Sequence, residues 1–363
     1  MVDDSVVIRR LVTHALEEDP AVEVVGVASN VAIALQRISQ FNPDVLTLDI
    51  EMPEMDGLET LRRLRKEYPK LRVIMFSTLT DRGAAVTLEA LSLGADDYVA
   101  KASNEGSLDR SMIRLREELI PKIKQFFHLP GAAKVPEFAG AKLPAGSGAP
   151  ASPFIPATAN PATAHLGRGV RPRPRALVIG VSTGGPTALV SILQTLPESF
   201  PLPVLLVQYM PPLFTRLLAE RLDASCSLRV EEATEGAVVE PGKILIAPGN
   251  FHMKVRSQDG GVRVFLDQEP PENSCRPAVD ALFCSVGEVY GGSVSAAILT
   301  GMGQDGLRAV ELLKAQGASV LAQDEASSVV WGMPGAVVNA NLADRVLPLD
   351  AVIPEILAQA GRN

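Results

Sequence analysis

The stretch GVSTGGPT, Gly180–Thr187, directly follows the apolar run Ala176–Ile179. It reads as a buried strand that enters a glycine-rich turn and then a helix. Ser182 is thereby left at the carboxyl end of a strand, where open α/β sheets place reactive groups. A serine on such a turn exposes its Oγ beside free backbone N–H groups and can act as a nucleophile. The same turn can cradle a phosphate or simply reverse the chain. A second glycine-rich strand end, LTGMGQDG at Leu299–Gly306, presents Asp305 after the run Ala296–Leu299. Its N–H groups can form an oxyanion hole, and Asp305 can orient a base or cap the helix Leu307–Ala315.

A different chemistry is written into the first hundred residues. Asp3 and Asp4 precede the first helical pattern, and Asp49 ends the apolar run Val45–Leu48. In a parallel sheet such strand ends converge on one edge, where carboxylates from neighbouring strands can hold Mg²⁺. An aspartate beside that cation is a phosphoryl acceptor, because the metal offsets charge on the transferring group. Ser77 and Lys101 end two further runs and supply a hydroxyl and an ammonium to the same edge.

Positioning these groups requires two α/β units. Residues 1–128 alternate the runs Val22–Val27, Val45–Leu48, Val73–Phe76 and Tyr98–Ala100 with helical patterns such as Val6–Leu16 and Gly57–Glu67. That alternation predicts βαβ units and a doubly wound parallel sheet. The chain begins where the first strand of such a unit should be ending. Residues 129–174 shift to Pro, Ala and Gly with few large apolar side chains, the composition of a flexible linker. The β/α alternation resumes over 175–360, a Rossmann-like unit interrupted by a hairpin, Lys254–Arg256 and Val262–Leu266, turned at Asp259–Gly261.

Composition narrows the function. Of 363 residues, 47% are hydrophobic and 21% charged, enough for two cores, and the net charge of −8 disfavours nucleic acid and anionic membrane surfaces. No apolar run reaches bilayer-spanning length, so no direct membrane insertion is expected. Cys226, Cys275 and Cys284 lack metal-ligand spacing and are expected to be reduced thiols of a cytoplasmic protein.

The pieces VDDS (Val2–Ser5), DIEMPEMDG (Asp49–Gly57), ST (Ser77-Thr78) and DYVAK (Asp97–Lys101) resemble a response-regulator receiver domain. The resemblance implies phosphorylation of Asp49, with Asp3, Asp4, Asp49 and the Glu51 backbone as Mg²⁺ ligands. Ser77, Tyr98 and Lys101 match the family's switch hydroxyl, switch aromatic and phosphate-contacting lysine. Lys101 is followed by Ala102 where the family usually has proline.

Further on, GVSTGGP (Gly180–Pro186), MPPLFT (Met210–Thr215), APGNFHM (Ala247–Met253), RPAVD (Arg276–Asp280), LTGMGQDG and QDEASSVVWGMP (Gln323–Pro334) resemble the chemotaxis receptor methylesterases, or CheB proteins. That resemblance implies hydrolysis of glutamate methyl esters on chemoreceptor cytoplasmic domains, deamidation of receptor glutamines, and a chemotaxis histidine kinase as phosphodonor. It implies Ser182 as nucleophile, Asp305 as triad acid and the Met302 N–H as oxyanion donor, with Thr183 beside the nucleophile. No cofactor is implied for the esterase unit. Tyr209 stands where the family carries its catalytic histidine. A phenol of ordinary pKa ~10 is a poor proton acceptor at neutral pH. Of the histidines His14, His128, His165 and His252, only His252 lies in the esterase unit, and it reads as a structural or groove residue. An alternative reading is therefore a catalytically impaired homologue that binds receptor or kinase in a phosphorylation-dependent way.

Overall fold

The computed structural model describes residues 1–52, 57–101, 108–127, 129 and 172–361. Asp56, Ala102, His128, His165 and most of the expected linker lie outside the described residues.

In the N-terminal unit the order is α1 (Val6–Glu17), α2 (Val31–Phe41), β1 (Val45–Asp49), α3 (Gly57–Glu67), β2 (Arg72–Ser77), α4 (Asp81–Ser92), β3 (Asp97–Ala100) and α5 (Leu108–Phe126). Local chemistry sets the helix starts. Ser5, Asn30 and Thr80 cap α1, α2 and α4 by accepting from Ile8, Ile33 and Gly83 N–H groups. β1, β2 and β3 pair in parallel in that order, with Leu48 opposite Met75 and Met75 opposite Tyr98. Their near-continuous burial is what a sheet covered on both faces requires.

Val22–Val27 does not form the expected strand. Only Val2 bridges its neighbourhood, pairing with Ala28 on one side and Leu48 on the other. The rung is well made: Val2 N–H donates to Thr47 O at 2.8 Å, and Ala28 N–H donates to Met1 O at 2.8 Å. Among the described residues the run Val22–Gly26 has no ladder partner, and a trough of about 530 Å³ separates it from Val45. A parallel strand without a hydrogen-bonded neighbour has nothing to fix its register, so the apolar run stays irregular.

The C-terminal unit comprises β4 (Ala176–Val181), α6 (Gly185–Leu193), β5 (Val204–Gln208), α7 (Pro212–Asp223), β6 (Arg229–Glu232), β7 (Lys243–Ile246), β8 (His252–Gln258), β9 (Gly261–Asp267), α8 (Val279–Tyr290), β10 (Val294–Ile298), α9 (Leu307–Ala315), β11 (Ser319–Gln323), α10 (Met333–Asn339), β12 (Arg345–Leu347) and α11 (Leu349–Ala360). Seven strands form a parallel sheet in the order β12-β11-β10-β4-β5-β7-β6. β8 and β9 form the expected antiparallel hairpin, with Gln258 opposite Gly261. The chain leaves β4 toward β5 on one side and returns to β10 on the other. β4 and β10 therefore flank the switch point, and the loops after them meet at its mouth.

The two units share packed apolar surface. Tyr98 of β3 stacks on Phe214 of α7, with ring centroids 4.8 Å apart and planes 8° from parallel. Met302 and Val330 join Leu115, Leu119 and Phe126 of α5 in one buried cluster. Polar contacts flank this seam: Thr187 Oγ1 donates to Leu91 O at 2.9 Å, and Arg216 pairs with Asp81 at 2.6 Å.

Candidate functional site

Ser182 leaves β4 on a turn that only glycine allows. Gly184 adopts φ 78°, and a Cβ there would sit 2.6 Å from Val329 Cβ. Across the switch point, Gly301 lets the second loop approach: a Cβ there would lie 2.9 Å from Ser182 Cβ. One backbone bond and one side-chain bond lock this contact. Ser182 N–H donates to Thr300 O at 3.0 Å, and Thr300 Oγ1 donates to Thr183 O at 2.9 Å. Gln208, at the end of β5, donates from Nε2 to Ser182 O at 3.0 Å. Three strand ends thus fix the serine.

Ser182, Thr183, Tyr209 and Met302 line one small cavity of about 40 Å³, closed from the other unit by Asp97 and Lys122. Asp97 and Lys122 thus narrow the approach to Ser182 from the receiver side. Tyr209 is half-buried and packs against Cys275, Ala278 and Ala281.

Asp305 is buried, and its carboxylate is fully engaged. Oδ2 accepts from Val279 N–H at 2.6 Å, while Oδ1 accepts from Asp280 N–H at 3.2 Å and Asn273 Nδ2 at 3.0 Å. Burial pushes its pKa up to about 6 against these hydrogen bonds. On the same side a larger groove of about 500 Å³ passes Asn273, Met302, Asp305 and Trp331, and Gln125 of α5 borders it. His252 is fully buried, with Nε2 3.1 Å from Pro270 O, and it does not line the cavity at Ser182.

A second cluster lies at the carboxyl edge of the small sheet. Asp3, Asp4 and Asp49 bring ligand oxygens within 4.8 Å of one another. Lys101 Nζ reaches Asp49 at 2.6 Å and Asp3 at 3.4 Å. Burial pushes Asp49 up to about 6, with Asp3 adding to the rise, although Lys101 pulls it down. Glu51 N–H donates to Asp49 Oδ1 at 3.1 Å, which places the Glu51 backbone beside the cluster. Ser77 lies at the same edge, but its hydroxyl faces α4, bonding Gly83 O at 3.2 Å and accepting from Thr87 Oγ1 at 2.6 Å. Tyr98 is turned into the seam against Phe214.

Comparison with known proteins places this geometry. The CheB methylesterase family matches residues 177–356, and the response regulator receiver domain family matches residues 1–112. The protein-glutamate methylesterase/protein-glutamine glutaminase of Nocardioides sp. (strain ATCC BAA-499 / JS614) is 51% identical over 363 residues, covering 100% of this chain and 95% of that relative. The chain belongs to the CheB methylesterase family. The CheB relative of Trichodesmium erythraeum (strain IMS101), of the same name, is 47% identical over 361 residues, covering 99% of this chain and 98% of its own. The Thermotoga maritima CheB methylesterase catalytic domain is 46% identical, covers 51% of this chain and 97% of that chain, and has a TM-score of 0.49.

Within this CheB chain Ser182, Tyr209 and Met302 line one cavity, and Asp305 lies on the adjoining groove. Asn273, Asp280, Asp97 and Lys122 were not singled out from sequence. Asn273 lies three residues before RPAVD, at φ 51°, so an asparagine in a left-handed turn was the one available signal. Asp97 and Lys122 belong to the other unit, and nothing in the spacing along the chain brings them to Ser182. Among the described residues no helix is long and apolar enough to cross a membrane.

Proposed function

We propose that this protein is a phosphorylation-controlled methylesterase of chemoreceptors. It hydrolyses the methyl esters of receptor glutamates to glutamate and methanol, and deamidates receptor glutamines by the same acyl chemistry. The observation that carries this reading is the convergence of Ser182, Tyr209 and Met302 on one cavity, walled off by the receiver.

Ser182 Oγ attacks the ester carbonyl carbon, and the Met302 N–H receives the developing oxyanion. Methanol departs with the serine's proton, and water then splits the acyl-enzyme to release the carboxylate. Tyr209 holds the position of the proton acceptor. Its phenol has one polar atom where imidazole has two nitrogens, so it cannot bridge serine and Asp305 in the same way. Proton removal is therefore the slow element in this chain.

Asp49 accepts a phosphoryl group from a chemotaxis histidine kinase or a small phosphodonor. The clustered carboxylates of Asp3, Asp4 and Asp49, two of them buried, suit a hard, oxygen-ligated cation. Asp3, Asp4, Asp49 and the Glu51 backbone would hold Mg²⁺, which offsets negative charge on the incoming phosphoryl group. Lys101 holds the Asp49 carboxylate in place, and Ser77 and Tyr98 turn with it. Phosphorylation then parts the receiver from the esterase unit and opens the cavity at Ser182. All of this belongs to the cytoplasm, where receptor tails and kinase are found. Methanol release from methylated receptor membranes tests the reading. The rate should rise with phosphodonor and vanish in Ser182→Ala; equal rates in Ser182→Ala would overturn it.

A further inference from the structure

Asp97 opens β3 and is buried at the seam, 5% exposed. Its Oδ1 accepts from Tyr98 N–H at 2.8 Å and from Lys122 Nζ at 3.1 Å. Its Oδ2 accepts from Thr183 Oγ1 at 3.0 Å. Thr183 directly follows Ser182, and both face the same cavity. The hydroxyl next to the nucleophile is therefore committed to a carboxylate from the other unit. Lys122 is itself held by Tyr98 O at 2.6 Å, so the buried charge is paired and fixed in place.

The product of ester hydrolysis is a side-chain carboxylate. Its carbon was bonded to Ser182 Oγ one step earlier, so its oxygens lie within reach of the donors that flank the serine. Asp97 brings the same functional group, on a stem one methylene shorter, to one of those donors. We propose that Thr183 is the carboxyl-recognising group of the esterase site and that Asp97 is its internal ligand, a product-shaped plug supplied by the receiver. This rests on the methylesterase reading above and adds the specific contact that substrate must displace. The plug is also wired to the phosphorylation site. Lys101, which holds Asp49, is four residues along from Asp97, joined through the short strand β3. A pull on Lys101 is thus transmitted along extended backbone to the carboxylate at Thr183.

The test uses the full chain and N-acetyl-glutamate α-amide, a minimal product with a free side-chain carboxylate. Its binding is measured by calorimetry to wild type, Asp97→Ala, Asp97→Asn and Asp97→Ala/Thr183→Val. Freeing the Thr183 hydroxyl from a charged acceptor should tighten binding about ten- to hundredfold in Asp97→Ala. Asp97→Asn, which keeps the shape but not the charge, should gain less. Adding Thr183→Val should return binding to the wild-type level. Methanol release from methylated receptors is followed in parallel, with and without phosphodonor. Folded Asp97→Ala and Asp97→Asn that bind the probe no better than wild type would overturn the plug, even where hydrolysis still responds to phosphodonor. If Asp97→Ala fails to fold, Asp97→Asn decides. A binding gain with no methanol release in any variant would keep the plug and remove the methylesterase reading.

Discussion

Asp305 and Asp280 cap each other's helices. Asp305 accepts from the Val279 and Asp280 N–H groups in the first turn of α8, while Asp280 Oδ1 accepts from Ala309 N–H in the first turn of α9 at 2.9 Å. The Asn273 carboxamide donates to both, at 3.0 Å each, so one amide group bridges two buried carboxylates. The acid expected to orient a catalytic base is thus also the keystone of two helix N-termini at the switch point.

Removing it should therefore cost stability as well as activity. Asp305→Ala leaves the Val279 and Asp280 N–H groups without their acceptor and the Asn273 amide with Asp280 alone. It should destabilise the esterase unit by about 2–4 kcal/mol, measured by urea unfolding. Asp305→Asn should lose less, because the carboxamide oxygen still accepts.

The same burial gives a pH signature. Burial raises the folded pKa of Asp305 to about 6, above the ordinary carboxyl value of ~3.9, so the folded chain holds the proton that the unfolded chain has already lost. Its contribution favours folding at pH 4 and declines as pH rises through 6. The melting temperature of wild type relative to Asp305→Asn should fall across this window and level off above it. A difference that is flat from pH 4 to 7 would contradict the assignment.

Tyr209→His should raise methyl-ester hydrolysis by several orders of magnitude, with a ceiling set by the roughly millionfold cost of deleting such a base. The gain should disappear in a Ser182→Ala background. The histidine variant should gain activity as pH rises through about 6–7, where imidazole loses its proton. The tyrosine form should keep climbing into the alkaline range. Strong neutral-pH turnover in the unmodified chain would refute the slow-base reading.

Asp49 gives the corresponding test in the receiver. Its pKa is raised to about 6 by burial and by Asp3, so at pH 8 its charge opposes folding. Asp49→Asn should raise the receiver's melting temperature by several degrees at pH 8, and by less at pH 5. Mg²⁺ should stabilise wild type and leave Asp49→Asn nearly unchanged. Chelator should abolish phosphoryl transfer from a small phosphodonor.

These outcomes mark what could be read from sequence. Helices α3 and α9, the hairpin and the strand ends bearing Ser182, Asp49 and Asp305 follow from local period and turn chemistry. The apolar run at Val22–Val27 has the composition of a strand, yet a strand exists only with a neighbour, and pairing is not a local property. Asp97 reads locally as one more acid before a strand. Its contact with Thr183 spans 86 positions and two units, so only the assembled fold reveals it. The reciprocal caps of Asp280 and Asp305 were hidden for the same reason, since each serves a helix begun elsewhere in the chain.

Trp331 is the only tryptophan in the sequence. Its indole N–H donates to Gln323 O at 2.9 Å, and its ring lines the groove that Gln125 of the receiver borders. The protein therefore carries its own optical reporter at the boundary between its two halves. Separation of the receiver would hydrate one face of a single indole. Stopped-flow indole emission after phosphodonor is added would then time the opening directly, with no label.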